Sequence, residues 1–294
     1  MARKVTIFST VVAVIVGALV ALAGASNSEA FGGIPIFVWC AIISFGVQWI
    51  AFIPAWKNHS EHFFDLTGSL TYLIVMIFAA LTVPSLDLRA TLLVIMVGLW
   101  AVRLGTFLYT RVKSVGADTR FDAMKYDFFW FLMTWTLQGL WVFLTSAAAL
   151  AAITVDDQKK FGALGIVGLS IWIIGFMIEV TADEQKRRFR NEINDQGHQV
   201  NRGTFIRSGL WKYSRHPNYF GEITLWIGVA VIAFPVFSGW SFTALISPLF
   251  VYLLLSRVSG IPMLEASANK RWGDNPEYQR YKKETPAILL KFRR

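Results

Sequence analysis

The stretch that decides the fold is GLWKYSRHPNYFGEITLWIG, residues 209–228, in which a polar segment runs directly into an apolar one. Pro217 follows Ser214-Arg215-His216, and proline is favoured at the first position of a helix. The stretch therefore predicts a helix that starts at or near Pro217 and continues through the apolar residues. Ionisable side chains at the edge of an apolar segment are costly, so we expect them to hold a ligand or one another.

The rest of the chain is strongly apolar. Of its 294 residues 55% are hydrophobic and only 16% charged, whereas soluble domains carry about a quarter charged residues. A run of about 20 apolar residues is long enough to cross a bilayer. We predict spans at 5–25, 34–56, 64–83, 90–110, 127–153 and 161–180. The longer stretch 221–257 is interrupted at Phe234-Pro235-Val236-Phe237-Ser238-Gly239, which predicts two spans or a broken hairpin. These patterns predict an all-α, polytopic membrane bundle of seven to eight transmembrane helices.

The distribution of cations predicts the orientation. With the N-terminus cytoplasmic, only Arg89, Lys159 and Lys160 of the 28 Lys and Arg residues fall in outer loops, and Arg103 lies within a span. The positive-inside rule then places both termini in the cytoplasm. The same rule accounts for the net charge of +9, so nucleic acid is not an expected partner. The first span is expected to stay uncleaved.

The single cysteine, Cys40, lies within a predicted span. One cysteine can form neither a disulfide within the chain nor a Cys-rich zinc site. We therefore expect no metal, and we interpret Cys40 as a packing residue.

A first group of polar residues follows the sixth span. If that span continues as a helix into the cytoplasm, Asp183, Lys186 or Arg187, and Arg190 lie on one face, with Glu179 one turn below. Carboxylates near the membrane and cations further out suit a ligand with hydroxyls at one end and phosphates beyond. Taken alone, this motif favours the simpler interpretation, a solvated helix whose cations meet anionic lipid.

A second group surrounds Pro217. Asn218 and Glu222 are four residues apart and project from one helix face, and Gly221 between them allows another group to approach closely. The helix start, with its free N–H groups beside Arg215 and His216, predicts an anion site. A capped interfacial helix would not need Asn218 and Glu222 together, so here a functional role is favoured.

Arg103 lies about two turns inside the fourth span. A central arginine costs roughly 2.5–3.5 kcal/mol even on a lenient insertion scale. It therefore needs an anionic ligand, a carbonyl or a carboxylate such as Glu179 or Glu222, and a purely structural ion pair stays open.

Other polar residues allow two interpretations. Four isolated polar side chains lie within the predicted spans: Gln48, Asp65, Tyr72 and Gln138. Each could donate a hydrogen bond to a substrate carbonyl or bridge two helices. In the polar tail, Tyr278 and Tyr281 could close over a ring, but packing on the membrane surface is favoured.

Three segments together resemble one family. Residues 182–190, residues 209–222 and the ending with Tyr278, Tyr281 and Pro286 are similar to the bacterial membrane proteins of the DUF1295 family, in the steroid 5α-reductase and sterol reductase superfamily. The resemblance is strong over residues 95–290 and weak before.

The resemblance implies a function. Reductases of this superfamily bind NADPH in a cytoplasm-facing cavity among their C-terminal helices and reduce a C=C bond of a steroid, sterol or enoyl lipid. It implies N-terminal helices on the substrate and lipid side over 1–90 and a reductase-like domain over 91–294. The residues expected to contact NADPH are Arg103, Arg120, Glu179, Asp183, Lys186, Arg190, Trp211, Tyr213, Arg215, His216, Asn218, Tyr219, Glu222 and Tyr278. The candidates for a catalytic donor to the lipophilic substrate are Tyr219, Tyr72, Gln138 and Asp65, in that order.

The N-terminal half departs from the family pattern. Steroid 5α-reductases carry a Gln-Glu pair there, whereas here Gln48 is followed by Trp49, which leaves the substrate open. No GxGxxG stretch follows a strand, so a soluble Rossmann domain is excluded as the NADPH site.

Two alternative functions stay open. Membrane S-adenosylmethionine-dependent methyltransferases share the Arg-His-Pro-x-Tyr-x-Gly stretch. Their cofactor has no phosphates for the cations of residues 186–190, and their usual Glu-Glu pair is Glu265-Ala266 here. A non-catalytic protein that binds or transports lipid is the second alternative, and it should tolerate Glu222→Gln and Asp183→Asn.

Overall fold

The computed structural model describes residues 3–115, 121–193, 199–201 and 203–291. Within these ranges the chain forms helices α1 (Arg3–Gly24), α2 (Ile36–Lys57), α3 (Phe64–Thr82), α4 (Leu88–Val115), α5 (Phe128–Ile153), α6 (Ala163–Asn191), α7 (Pro217–Ala233), α8 (Ile246–Leu253), α9 (Ile261–Trp272) and α10 (Pro276–Glu284). A short antiparallel hairpin of β1 (Ala30–Phe31) and β2 (Ile34–Pro35) precedes α2. Its turn uses Gly32 and Gly33 at φ of 61° and 80°, a region that glycine adopts without steric cost.

The described residues contain 8 helical segments that are long and apolar enough to cross a membrane. The predicted bundle is therefore confirmed: the protein is an all-α, polytopic membrane protein. The predicted break in 221–257 is also confirmed, because the seventh segment ends at Val236 and the eighth begins at Gly239. Ser238 caps the new helical turn through a reciprocal pair of hydrogen bonds with Ser241.

The chain divides into two compact units. The first comprises Met1–Gly165 and Ala230–Ser247, and the second comprises Ile166–Val229 and Pro248–Arg294. In the first unit α5 is the central helix, since 89% of its apolar window is buried. Its second half is rich in alanine, and small side chains allow neighbouring helices to approach closely in a membrane.

A buried arginine joins three backbone segments of the first unit. The Arg89 side chain is 1% exposed, and its guanidinium donates to the carbonyl oxygens of Ile232 at 3.1 Å, Lys159 at 2.6 Å and Lys160 at 3.1 Å. Asp87 lies 3.7 Å away and balances the charge. A planar guanidinium suits such a set of fixed acceptors, and the buried charge is therefore compensated.

In the second unit, α6 and α7 are in backbone contact through glycines. A Cβ atom on Gly221 would lie 2.6 Å from the backbone nitrogen of Glu179 and 2.6 Å from the carbonyl oxygen of Gly175. About two turns further along α7, a Cβ atom on Gly228 would lie 2.6 Å from the backbone nitrogen of Trp172. Close approach through small residues is the usual way in which membrane helices gain packing energy. The polar ends of both helices are held together by this contact.

Gly221→Ala tests this contact. An added methyl group must push the two backbones apart, and overpacking of this kind costs about 1–3 kcal/mol. We expect a lower melting temperature for the purified protein in detergent. Gly46→Ala is the matched control, because nothing lies within 4 Å of its Cβ position. An equal melting temperature for Gly221→Ala and the wild type would contradict the contact.

Candidate functional site

Helix α7 begins at Pro217, as predicted, but its first N–H groups are largely used within the chain. The backbone nitrogens of Tyr219 and Phe220 both donate to the His216 carbonyl oxygen, at 3.1 and 3.2 Å. The backbone nitrogen of His216 donates to Ser214 Oγ at 3.2 Å. Fewer N–H groups are therefore free at this helix start than the sequence predicts. An anion here must be bound mainly by side chains.

Buried carboxylates from both helices lie in the second unit. Glu179 and Asp183 on α6 are 2% and 7% exposed, and Glu222 on α7 is 8% exposed. The glycine contact holds the backbone of Glu179 against Gly221, the residue before Glu222. Burying several carboxylates is costly unless each has hydrogen-bond or ionic partners. Such a concentration at a membrane boundary is typical of a functional site.

The cations on the end of α6 fall into two groups. Arg187 and Arg188 both form ion pairs with Glu184, at 2.7 and 2.6 Å, and both are exposed. The Lys186 Nζ instead lies 4.5 Å from the ring centroid of Trp211, a cation–π contact. Lys186 is thus directed toward the segment before α7, whereas Arg187 and Arg188 form a solvated pair of the kind expected for the simpler interpretation.

Glu265 on α9 also belongs to this site, although its contacts with Arg215 and His216 were not expected from the sequence. One carboxylate oxygen lies 3.2 Å from Arg215 Nη1 and 3.5 Å from Lys282 Nζ. The other lies 3.1 Å from His216 Nε2. Glu265 is about fifty residues away from Arg215 in the chain, so no local spacing could reveal these contacts. The sequence offered two signals: Glu265 stands at the position of the methyltransferase Glu-Glu pair, and a half-buried arginine needs a carboxylate.

His216 is nearly enclosed. Its side chain stacks on the Tyr219 ring, with centroids 5.7 Å apart and an angle of 14° between the planes. Burial lowers the pKa of His216 below its ordinary value. The Glu265 carboxylate opposes this shift, and Lys186 and Arg215 add to it. The folded protein therefore favours the neutral ring.

Two buried acceptor atoms at the start of α7, His216 Nδ1 and Asn218 Oδ1, are among those that have no hydrogen-bond partner within the described part of the chain. A buried polar atom without a partner costs about 1–3 kcal/mol. Acceptors of this kind suit a ligand that carries N–H or O–H donors.

The tail after α10 closes against the segment before α7. Arg215 N donates to the Pro286 carbonyl oxygen at 2.9 Å, and Lys291 N donates to the Tyr213 carbonyl oxygen at 3.0 Å. Ser214 Oγ donates to the Ile288 carbonyl oxygen at 2.8 Å. Two of the three residues that contact Glu265, Arg215 and His216, thus lie in or beside a backbone segment that is paired with the tail.

Trp211 and Tyr213, predicted to contact the cofactor, have polar groups engaged within the protein. Trp211 Nε1 donates to the Ala182 carbonyl oxygen at 3.0 Å. The Trp211 carbonyl oxygen accepts a hydrogen bond of 2.6 Å from the Tyr281 hydroxyl. Trp211 therefore connects α6 with α10, and the Tyr213 carbonyl oxygen is paired with Lys291.

The two tail tyrosines pack inside the second unit. The sequence-based preference for packing on the membrane surface is therefore wrong. Tyr278 is 4% exposed, and its ring lies edge-on to Phe205 at 5.2 Å. The Tyr281 ring lies 5.5 Å from the same phenylalanine. Phe205 also contacts Trp272 at 5.8 Å. The physical reason is that Phe205, Trp272 and the two tyrosines, which come from three segments, pack together as one aromatic cluster.

The intramembrane candidates lie in the first unit, and the two glutamines among them bridge helices. Gln48 Nε2 donates to Thr71 Oγ1 at 2.8 Å, and Gln138 Nε2 donates to the Phe64 carbonyl oxygen at 3.0 Å. Both side chains are thus tied to α3, the second of the two interpretations that the sequence allowed.

Three other candidates are placed as follows. Tyr72 is 4% exposed, and its ring lies edge-on to Trp100 at 5.1 Å. The Arg103 guanidinium lies 5.6 Å from the Phe107 ring centroid. Asp65 lies in the first turn of α3. Arg120 falls outside the described residues.

A pocket of about 340 Å³ opens elsewhere in the second unit. It is lined by Phe189, Asn201, Thr204, Phe205, Arg207, Ser208, Asn275 and Glu277. None of the residues predicted to contact NADPH is among them, so we base the candidate site on the buried polar cluster. The described residues contain no group of three or more His, Cys, Asp or Glu that could hold a metal ion.

The fold and this cluster define a class: a multi-pass helical membrane protein with buried carboxylates and cations where two glycine-packed helices meet. The family described as "Protein of unknown function (DUF1295)" matches residues 49–285. The chain belongs to this family.

Curated relatives are similar over shorter segments. The chain is 31% identical to "3-oxo-5-alpha-steroid 4-dehydrogenase 1" of Homo sapiens over 39% of this chain and 38% of the relative. It is 28% identical to "Steroid 5-alpha-reductase DET2" of Gossypium hirsutum over 46% of this chain and 45% of the relative. An uncharacterized protein of Schizosaccharomyces pombe is 26% identical over 44% of each chain. The matches thus span less than half the length of these relatives. No solved structure matches the chain.

Tyr281→Phe tests the connection through Trp211. The change removes a hydroxyl that donates to a carbonyl at 2.6 Å, and a net loss of about 1 kcal/mol is typical for one hydrogen bond. We expect a lower melting temperature in detergent. Tyr252→Phe, at a side chain that is 41% exposed, is the control and should leave stability unchanged. Equal values for both variants would show that the bond contributes nothing.

The depressed pKa of His216 predicts acid sensitivity. The unfolded chain binds a proton at this ring below about pH 6.5, whereas the folded protein resists protonation. The stability is therefore present above that pH and is lost as pH falls through the folded-state pKa. Melting temperatures between about pH 7 and pH 5 should fall more steeply for the wild type than for His216→Gln. Parallel slopes would contradict the neutral buried ring.

Proposed function

We propose that this protein is an NADPH-dependent reductase of a C=C bond in a lipophilic substrate. The observation that carries the proposal is that the second unit holds both the buried carboxylates on α6 and α7 and a group of half-buried cationic side chains that includes Lys186 and Arg215. A carboxylate cluster suits hydroxyl groups, and neighbouring cations suit phosphates. The names of the human and cotton relatives, which describe steroid dehydrogenase and reductase activities, support the same chemistry.

The residues of the second unit fit NADPH by type. Arg215, Lys186 and Arg190 would hold the pyrophosphate and the 2′-phosphate, since arginine and lysine bind phosphate through charge-assisted hydrogen bonds. Arg215 is already oriented by Glu265, and Lys186 by the Trp211 ring. Both cations are therefore positioned before a ligand arrives, which lowers the entropy cost of binding.

The acids and acceptors would hold the uncharged parts of the cofactor. Asp183 and Glu222 accept hydrogen bonds from ribose hydroxyls. The Asn218 Oδ1 and His216 Nδ1 atoms, which are buried acceptors without a partner in the described structure, suit the carboxamide or a hydroxyl. A ligand with several donors would remove the cost of leaving these atoms unpaired.

When bound, NADPH supplies the hydride for the reduction. The chain's own part is to exclude water and to place a hydrogen-bond donor at the oxygen where negative charge develops. Tyr219 is the first candidate, because its ring is fixed against His216. Tyr72, Gln138 and Asp65 follow. Gln138 already donates to the Phe64 carbonyl oxygen, which favours Tyr72 among these three.

The membrane setting completes the proposal. We place the protein in the bacterial inner membrane with both termini in the cytoplasm, so that the second unit meets soluble NADPH. The N-terminal helices over 1–90 would face the membrane-dissolved substrate, and residues 91–294 would form the reductase-like part. The substrate is a steroid, a sterol or an enoyl lipid. Comparison of double bonds in lipid extracts from wild-type and knockout cells would distinguish these classes.

Three variants test the cofactor site. Arg190→Ala and Arg215→Ala each remove one contact to phosphate, a loss of about 1.5–3 kcal/mol, so NADPH affinity should fall roughly ten- to a hundredfold. Glu222→Gln should impair binding or turnover with the fold intact, because it keeps the size and removes the charge. Affinity is measured by nicotinamide fluorescence, and melting temperature is measured on the same samples.

Arg188→Ala is the matched control. Arg188 lies on the same helix end, but its side chain is 77% exposed and paired with Glu184, so affinity should not change. If all three test variants melt earlier and keep the wild-type affinity, the cluster is a structural ion network and the proposal fails. Binding of S-adenosylmethionine in place of NADPH would favour the methyltransferase. Full function in Glu222→Gln and Asp183→Asn would favour a lipid-binding protein.

A further inference from the structure

We propose that Glu265 is a positioning residue of the cofactor site, which holds His216 with its proton on Nε2 and thereby leaves Nδ1 as an acceptor for a donor group of the bound nucleotide. This inference rests on the proposed function. Glu265 lies on α9, outside residues 182–190 and 209–222, which carry the family resemblance near the start of α7.

Glu265 determines which ring nitrogen carries the proton. Its Oε1 lies 3.1 Å from His216 Nε2, and its Oε2 lies 3.2 Å from Arg215 Nη1. A carboxylate in contact with an arginine is ionised and can only accept hydrogen bonds. His216 must therefore donate through Nε2, and in the neutral ring Nδ1 is then an acceptor.

Burial is the main reason that the ring is neutral, and the surrounding charges act in both directions. Lys186 on α6 and Arg215 beside the ring both oppose a positive charge on His216, while Glu265 favours one. Lys282 on α10 lies 3.5 Å from Glu265, and the neutral Tyr219 ring covers one face of the imidazole. One carboxylate thus serves three cationic or donor groups and is shared among them.

The remaining ring nitrogen is in a position to meet a ligand. His216 is 6% exposed, and its Nδ1 has no hydrogen-bond partner among the described residues. An imidazole whose orientation served packing alone would not need a hydrogen bond to a carboxylate on one nitrogen and a free acceptor on the other. This is the arrangement by which a second group usually orients a functional histidine.

The ring state can be measured without the cofactor. In purified full-length protein with ¹⁵N-labelled histidine, the ring nitrogen shifts report the tautomer, and His216→Gln assigns the His216 signals among the 4 histidines. We expect the Nε2–H form in the wild type, the same form in Glu265→Gln, whose amide oxygen still accepts, and a mixture in Glu265→Ala. An unchanged single tautomer in Glu265→Ala overturns the proposal.

NADPH affinity gives the second readout. Glu265→Ala should weaken binding by tenfold or more, and Glu265→Gln should recover part of the loss. Glu277→Gln is the control, because Glu277 pairs with Arg207 at 2.9 Å on the exposed surface and should leave affinity unchanged. A loss of melting temperature in Glu265→Ala with unchanged affinity overturns the positioning role.

A third outcome covers a variant that does not fold. If Glu265→Ala cannot be purified, Glu265→Gln alone decides, because loss of the carboxylate charge should move protonation of the His216 ring to lower pH, and an unchanged ring titration overturns the proposal. If the wild type binds no NADPH, the proposed function fails. The tautomer measurement then still decides whether Glu265 orients His216.

Discussion

The contact between α6 and α7 is the constraint on which the second unit depends. At Gly221 and Gly228 the two backbones are too close for any side chain between them. In a membrane, helices gain little from hydrophobic burial against each other, so such close packing supplies much of the association energy. The same contact brings Glu179 and Glu222 into one region. Packing and site chemistry thus depend on the same few glycines.

The charged cluster is stable because its members share partners. Arg215, His216 and Lys282 all contact Glu265, and a buried charge without a partner would be strongly destabilising. The aromatic rings of Trp211 and Tyr219 lie beside Lys186 and His216. The partial burial of Arg215 and Glu265 strengthens their ionic contact, since the effective dielectric constant there is lower than in bulk water. It also makes the cluster sensitive to loss of a single member.

Much of the fold was predictable, but the site was only partly so. Apolar runs of sufficient length predict the membrane helices, and Pro217 and the interruption before Gly239 predict two helix boundaries, because these signals are local. The α6 residues share a face by helix periodicity alone. The contact between Glu265 and Arg215 and the hydrogen bond from Tyr281 to Trp211 were not predictable, since each depends on pairing between segments far apart in the chain. Periodicity carries no information about such pairs.

The pairing of the tail with the segment before α7 has a consequence for biosynthesis. Residues 286–291 supply carbonyl oxygens and an N–H group to Tyr213, Ser214 and Arg215, and they are translated after the 8 spans of the described chain. The spans can therefore insert while the start of α7 is still unpaired and open to water. The polar cluster is completed only when the tail returns to it. These spans would thus enter the bilayer before the polar cluster at the start of α7 is complete, which separates membrane insertion from assembly of the cluster in time.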